Sequence, residues 1–537
     1  MTTLFYNGKI YSMDESDNVY SAMVVCGGKL VDFGESDALI AKYPDVDLYN
    51  LDGKSVIPGL IDTHAHIFMA ADSEGDGELF IPESVAELLD DLKEKVKVTP
   101  KGQWISYKNT YPLRLDELRY PTLAELDEIA PDNPVAVDGF YSAQLNTCAL
   151  NSLDLTTLPQ GGRVMTDKDG ERTGVLLNCY AILGKHYSTR KIKPYKEAIS
   201  EVMTEYNKNG ITTTVEAMSN LAGIEAVEEL QKEKRQSVRV RYTMMVPPKE
   251  KHDEFRKTLK DVKCANPDFA RISFLKNTID GGILTGTSLM DGEYKGLSET
   301  FGLDGIESSW RGNLVTDIPI LCDSIKLAQE LGLQYGAHCV GTQASRKLLA
   351  AYKQVGNTEG QRHTLLHADF MAGDMIEASK EMDITILFQP AWHYMDAPHL
   401  SKILTARECK YFMPYADMLS FGAHVAAGSD HMVKYDPLKS VNPYHPFVAL
   451  HNMVTCTARD GKVYGEDQKI SRRDALLTYT RHAAWSLFDE DLIGSLKRGN
   501  RADFLILDRD YFCCEEREIP EIKPVKTYID GECVYSA

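Results

Sequence analysis

His64 and His66 stand two residues apart at the end of an apolar run, Val56-Ile57-Pro58-Gly59-Leu60-Ile61-Asp62-Thr63-His64-Ala65-His66, with no turn residue between them. In a strand, residues i and i+2 share a face, so both imidazoles project the same way. Two such rings at a strand end can chelate one divalent cation, which suggests metal-dependent hydrolysis.

The elements that position this pair read as a barrel. From about residue 190 to 435, strand-like runs alternate with helix-like ones. The predicted strands are 211–217, 238–246, 272–276, 334–338, 364–367, 384–388 and 424–427. The strand ending at His66 makes eight, with helical stretches such as 325–330 and 344–353 between many of them. Eight β-α steps in this order favour a TIM-type (β/α)8 barrel over an open sheet. Active sites of such barrels lie at the C-terminal ends of the strands. Those ends carry His64 and His66 (first strand), Lys276 (fourth), His338 (fifth), His367 (sixth) and Asp430 (after the eighth). Any one alone is explained by a polar strand end or an Asx turn, but six together converge on one mouth. Glu216 ends the second strand as an ion-pair partner or an acceptor behind the ligands. His363 has the parity of His367, so it is expected on the same side but deeper, in core hydrogen bonding.

Two β-rich ends flank the barrel. Asn7-Gly8, Gly27-Gly28 and Asp530-Gly531 each sit between apolar runs and read as hairpin turns. Residues 1–56 and 490–537 are expected to form one composite β-sandwich domain, since two separate small sheets would each be marginal. The barrel is expected over 57–489, with an α+β insertion at about 75–185. In the insertion, Ser84…Glu87 and Thr122…Glu125 read as capping boxes that open helices.

These motifs resemble the amidohydrolase superfamily, in its amidohydrolase 3 branch of N-substituted formamide deformylase-like proteins. The resemblance rests on Pro58 to His66, on Arg362-His363 followed by His367-Ala368, and on Gly428-Ser429-Asp430. It also rests on the closing segment 494–503 and, in the insertion, on Pro134-Val135 and Ser142-x-x-Leu145-Asn146. It implies that His64, His66 and Asp430 hold one metal and that His338 and His367 hold a second. Lys276 would bridge them only as a carbamate, because a free ammonium has no lone pair and repels cations. In a mononuclear site Lys276 would stay an amine. Zinc suits the His and carboxylate donors best, while manganese, iron and nickel remain compatible. The implied reaction is C–N cleavage of a small amide, N-acyl or N-formyl compound. A water acidified by the metal would attack, Asp430 would move the proton as general base and acid, and a metal or His338 would polarise the carbonyl.

Two loops depart from the branch pattern: 282–287 carries no arginine, and His338 is followed by Cys339-Val340-Gly341 where the branch has Ile-Gly-Asp. Both changes fall on the expected substrate pocket. Trp392, His393, His431, Tyr141 and Gln144 are the expected substrate contacts.

Composition narrows the alternatives. The net charge of −20 over 537 residues disfavours nucleic acid and anionic membranes. Eleven cysteines, an odd number without a C-x-x-C pair, fit reduced thiols in a cytoplasmic protein. The start of the chain shows no signal-peptide pattern, and no apolar run reaches membrane-spanning length. A serine hydrolase is disfavoured by the lack of a G-x-S-x-G elbow, and a nucleotide-binding protein by the lack of a P-loop. A deaminase or cyclic amidine hydrolase on the same scaffold, and a non-catalytic binding homologue, stay as alternatives. The expected partner is a small molecule, and homodimerisation is left open.

Overall fold

Eight parallel strands stand side by side in chain order. They are β1 (Leu60–Ala65), β2 (Ile211–Glu216), β3 (Arg239–Met245), β4 (Ala270–Thr278), β5 (Gln334–Cys339), β6 (Thr364–His367), β7 (Thr385–Phe388) and β8 (Val425–Ala427). The structure is a computed structural model that describes residues 2–73, 80–186, 193–297, 301, 309–433, 437–438 and 440–537. The first residues of the expected insertion, 75–79, lie outside the described residues. Most of the strands are rich in apolar or β-branched residues, because both faces are covered. Ile61, Val215, Phe274, Leu366, Leu387 and Ala426 fill the barrel interior, and Ala483 and Ala484 of the helix Arg481–Ser486 plug its lower end.

Seven neighbouring pairs are joined by parallel ladders. The seam between β8 and β1 is closed differently among the described residues. The Ser429 backbone N–H and hydroxyl donate to the two oxygens of Asp62 at 2.9 and 2.6 Å. The Thr63 hydroxyl donates to the Ala427 carbonyl at 2.8 Å. The Asp430 N–H donates to the His64 carbonyl, and the His66 N–H to the His431 carbonyl, each at 2.7 Å.

Among the breaks of strict alternation in the barrel, two bear on the site. Thr214 pairs with Asp62 and Glu216 with Ala65, so β1 carries one extra residue, a bulge around Thr63 and His64. In β6, Leu366 is the residue inside the barrel. His363 therefore faces outward, where it stacks on Tyr352 with ring centroids 5.4 Å apart and accepts from the Tyr335 N–H at 3.0 Å. The expectation that His363 and His367 share a side is thus corrected. His367 has the outward parity too, and it reaches the mouth because its φ is +73°.

The strand Ser55–Pro58 runs straight into β1 through Gly59, where a Cβ would lie 2.3 Å from the Thr212 hydroxyl. It is also part of a six-stranded sheet in the order 532–536, 524–529, 504–507, 55–58, 9–11, 19–20, built from both ends of the chain. A four-stranded sheet of N-terminal strands completes the sandwich. Gly27-Gly28 and Asp530-Gly531 are hairpin turns as expected. Asn7-Gly8 is not: Thr2–Tyr6 and Lys9–Tyr11 belong to different sheets, so this turn carries the chain across the sandwich. Beneath the barrel the fully buried Arg239 donates to both oxygens of Asp503, at 2.8 and 3.0 Å. It ties β3 to the composite sheet.

The insertion carries a five-stranded sheet in the order 163–166, 172–177, 142–145, 135–138, 105–108, covered by helices such as Val85–Val98 and Leu123–Ile129. Thr122 and Glu125 form a full capping box. At the other helix Ser84 accepts from the Glu87 N–H at 3.0 Å, but Glu87 reaches back to the Glu83 N–H.

Asp62→Ala would strand three buried donors at the seam. At about 1–3 kcal/mol for each unsatisfied group, the loss should be at least about 3 kcal/mol. A urea midpoint equal to that of the wild type would contradict this account of closure.

Candidate active site

The bulge in β1 and the bend after β8 bring three donors together. One ligand atom from each of His64, His66 and Asp430 lies within 4.8 Å of the others. Asp430 Oδ1 stands 3.2 Å from His66 Nε2 and 3.7 Å from His64 Nε2. It is buried and has no hydrogen-bond partner. Its residue is held with φ +55°, and its carbonyl accepts from Asn442 at 2.7 Å. A buried carboxylate oxygen that faces two imidazole nitrogens instead of donors is an arrangement a cation would satisfy. The set therefore fits a divalent metal, with the two-nitrogen, one-oxygen donors that zinc accepts.

The remaining polar strand ends surround this corner. Lys276 Nζ lies 3.4 Å from His64 Nε2. The rings of His64 and His367 are 4.7 Å apart, and those of His338 and His367 4.4 Å. His338 Nε2 faces the Gly281 carbonyl at 3.1 Å, and an acceptor there assigns the proton to Nε2. Nδ1 keeps its lone pair, beside the Tyr141 hydroxyl at 3.2 Å. His367 Nδ1 donates to Gln389 Oε1 at 2.9 Å, which leaves Nε2 with the lone pair. Burial, reinforced by the Lys276 charge, pushes His338 down to about 3 and holds His64 and His367 well below the ordinary histidine range. The imidazoles stay neutral, the state a ligand needs. Burial also lowers Lys276 to about 8, against the pull of Asp430 and Glu216.

A cavity of about 130 Å³ opens onto His66, Lys276, His338, His367 and Asp430. Its other walls are largely apolar, with Met69, Met218, Met245 and Met432 beside Tyr111 and Trp392. Tyr141 and Trp392 thus stand at the cavity, and the Trp392 indole N–H has no partner. The other three expected contacts do not line it. His393 stacks on Phe412 and faces Asn452 at 3.0 Å; its place in the helix Pro390–Ile403 turns it away from Trp392. His431 lies under the seam between the Tyr206 hydroxyl, at 2.9 Å, and the Val433 carbonyl. Gln144 spends its amide on the carbonyls of Leu145 and Thr173 inside the insertion sheet.

Several site residues escaped the sequence reading. Asp280 accepts from the N–H groups of Leu289, Val340 and Gly341, between 2.8 and 3.1 Å, and so fixes the loops after β4 and β5. Glu216, by contrast, was expected as an acceptor behind the ligands, and it accepts from the Phe68 and Met218 N–H groups, at 2.9 and 3.0 Å. Arg114 pairs with Asp396 through two bonds and lies over the rings of Tyr111 and Trp392, bracing both walls. Gln389 and Asp280 follow strand ends just as the recognised residues do, and that position was the available signal.

The amidohydrolase family matches residues 47–535, and the chain belongs to it. Family membership makes it a hydrolase. The Bacillus subtilis protein YtcJ, which carries an amidohydrolase name, is 24% identical over 100% of this chain and 99% of its own length. The N-substituted formamide deformylase of Arthrobacter pascens is 25% identical over 99% of this chain and 98% of its own. An uncharacterized metal-dependent hydrolase from Pyrococcus horikoshii superposes with a TM-score of 0.71 at 22% identity, covering 96% of this chain and 99% of that one; it shares the fold. Among the described residues no helix is long and apolar enough to cross a membrane.

Chelator-stripped protein should melt below protein reloaded with Zn²⁺, because a ligand that binds only the native state stabilises it. Asp430→Ala should abolish that difference. Equal melting of both wild-type forms would rule out a metal at this corner.

Proposed function

We propose that the chain hydrolyses a non-peptide C–N bond in a small amide, N-acyl or N-formyl compound. The observation that carries this reading is Asp430 Oδ1, buried without a donor between His64 and His66 at the floor of the cavity. His64, His66 and Asp430 would hold one divalent cation, most simply zinc. His338 Nδ1 and His367 Nε2 would serve a second, with Lys276 between the two as a carbamate. Bound metal supplies acidified water and polarises a carbonyl.

The chain's own residues do the rest. Asp430 takes the proton from the attacking water and returns it to the leaving nitrogen. The Tyr141 phenol, held protonated because burial raises its pKa well above the usual range, can donate to the carbonyl oxygen from the His338 wall. Gln389 and Gly281 fix the tautomers of His367 and His338. Tyr111 and Trp392, braced by Arg114, exclude water from one side. Lys276 supports the carbamate reading through its surroundings. An ammonium 3.4 Å from His64 Nε2 would compete with a cation for the same lone pair, whereas burial favours the neutral amine that reacts with CO₂.

His64→Ala and Asp430→Asn should each lower turnover at least about a thousandfold, on the order of the loss of a key catalytic group, with the fold retained. A screen of N-formyl, N-acyl and cyclic amides read by amine release tests the bond; ammonia release from amino-substituted rings alone would replace it with deamination. Reconstitution of stripped protein with Zn²⁺ at a fixed concentration of dissolved CO₂ should slow about tenfold per pH unit below about 8, as the neutral fraction of Lys276 falls. A rate flat across that range, or no ¹³C label at Lys276 from ¹³C-bicarbonate, would contradict the carbamate.

A further inference from the structure

The carboxylates around the mouth are almost all accounted for. Asp62 takes three donors, two from Ser429 and one from the His64 N–H. Asp280 takes three N–H groups and Glu216 two. Asp396 is paired with Arg114, and Asp430 faces the histidines. Asp369 is the exception. It lines the cavity, is 3% exposed, and its Oδ1 has no hydrogen-bond partner.

Among the described residues no donor reaches Asp369 Oδ1. The side chain is aimed by its backbone. The Met413 N–H donates to the Asp369 carbonyl at 2.8 Å, and Phe370 bridges to Phe412. The left-handed residues His367 and Ala368, with φ +73° and +44°, turn the chain into that bridge. A buried acceptor without a donor costs stability, and native structures rarely keep one without a use. The partner missing from the fold can arrive with the ligand.

We propose that Asp369 anchors a second nitrogen group of the substrate, an amine-type N–H donor set apart from the bond that is cut. The rest of the cavity agrees in kind. Its methionines, Tyr111 and Trp392 suit a short hydrocarbon link, and among the described residues no arginine lines it to receive a carboxylate. This rests on the reading of the cavity as the substrate site of an amide hydrolase.

Calorimetric titration of the metal-loaded protein with N-acetylethylenediamine and with N-propylacetamide isolates the contact, since the two probes differ only by a terminal amine in place of a methyl. The wild type should prefer the amine by about tenfold or more, as expected for a hydrogen bond to a charged group. Asp369→Leu should bring the ratio near one, and the shape-conserving Asp369→Asn should give an intermediate ratio. Leucine removes an unpartnered acceptor, so its melting temperature should hold or rise, whereas a carboxylate with a structural role would lower it. If a probe turns over, the ratio of kcat/KM replaces that of the affinities. A wild type that shows no preference or binds neither probe overturns the proposal, as does a preference that survives in Asp369→Leu. Failure of the hydrolytic reading is distinct: neither probe would be cut while the binding preference persisted.

Discussion

One carboxylate joins the first and last strands of the barrel. Asp62 is fully buried, burial lifts it to about 6, and it is held by the Ser429 N–H and hydroxyl and by the His64 N–H. Seven of the barrel's joints are ladders, whose register is set by repeating backbone bonds. At the eighth, the Asp62 side-chain clamp stands beside two backbone bonds, from the Asp430 N–H to the His64 carbonyl and from the His66 N–H to the His431 carbonyl. His64 and His66 come from one side of that joint and Asp430 from the other, so the spacing of the three donors is the spacing of the seam. A continuous ladder would have demanded regular strands there. A side-chain clamp tolerates the bulge in β1 and the left-handed Asp430, and both are needed to turn the donors toward one point.

The barrel was legible because its strands are apolar runs spaced by helical segments, and because six polar residues fall at five strand ends. What was not legible followed from backbone that breaks its own period. Alternation placed His363 beside His367, yet Leu366 faces inward and a positive φ turns His367 alone to the mouth. Asn7-Gly8 has the composition of a hairpin turn but links two sheets, since local sequence fixes the bend and not the partner of the strand that follows. His431 and His393 are neighbours of Asp430 and Trp392 in sequence, and adjacent side chains point apart. Gln144 is buried in a sheet whose carbonyls claim its amide.

The two halves of the cavity are built from different material. The polar half comes from strand ends, which the ladders hold rigidly. The apolar half comes from the insertion, the loops after the strands and the helix after β7, where Ile283 and Val340 stand in the two segments that depart from the branch pattern. Chemistry and selectivity are therefore separable. Loop changes can reshape what enters without moving the donors, an arrangement common to barrel enzymes.

The composite sheet has a consequence in time. Ile57 pairs with Leu505, and the strand between them and the barrel is the same strand that leads into β1. On a ribosome moving at about 5–20 residues per second, that edge waits on the order of tens of seconds for its neighbour. Until the far end emerges, Ser55–Pro58 presents open N–H and C=O groups, and Arg239 lacks Asp503. The nascent chain thus carries an open edge through most of its synthesis, and once β8 has emerged the barrel stands with its base unsealed for on the order of ten seconds more, a natural point for chaperone capture or for pairing with the wrong strand.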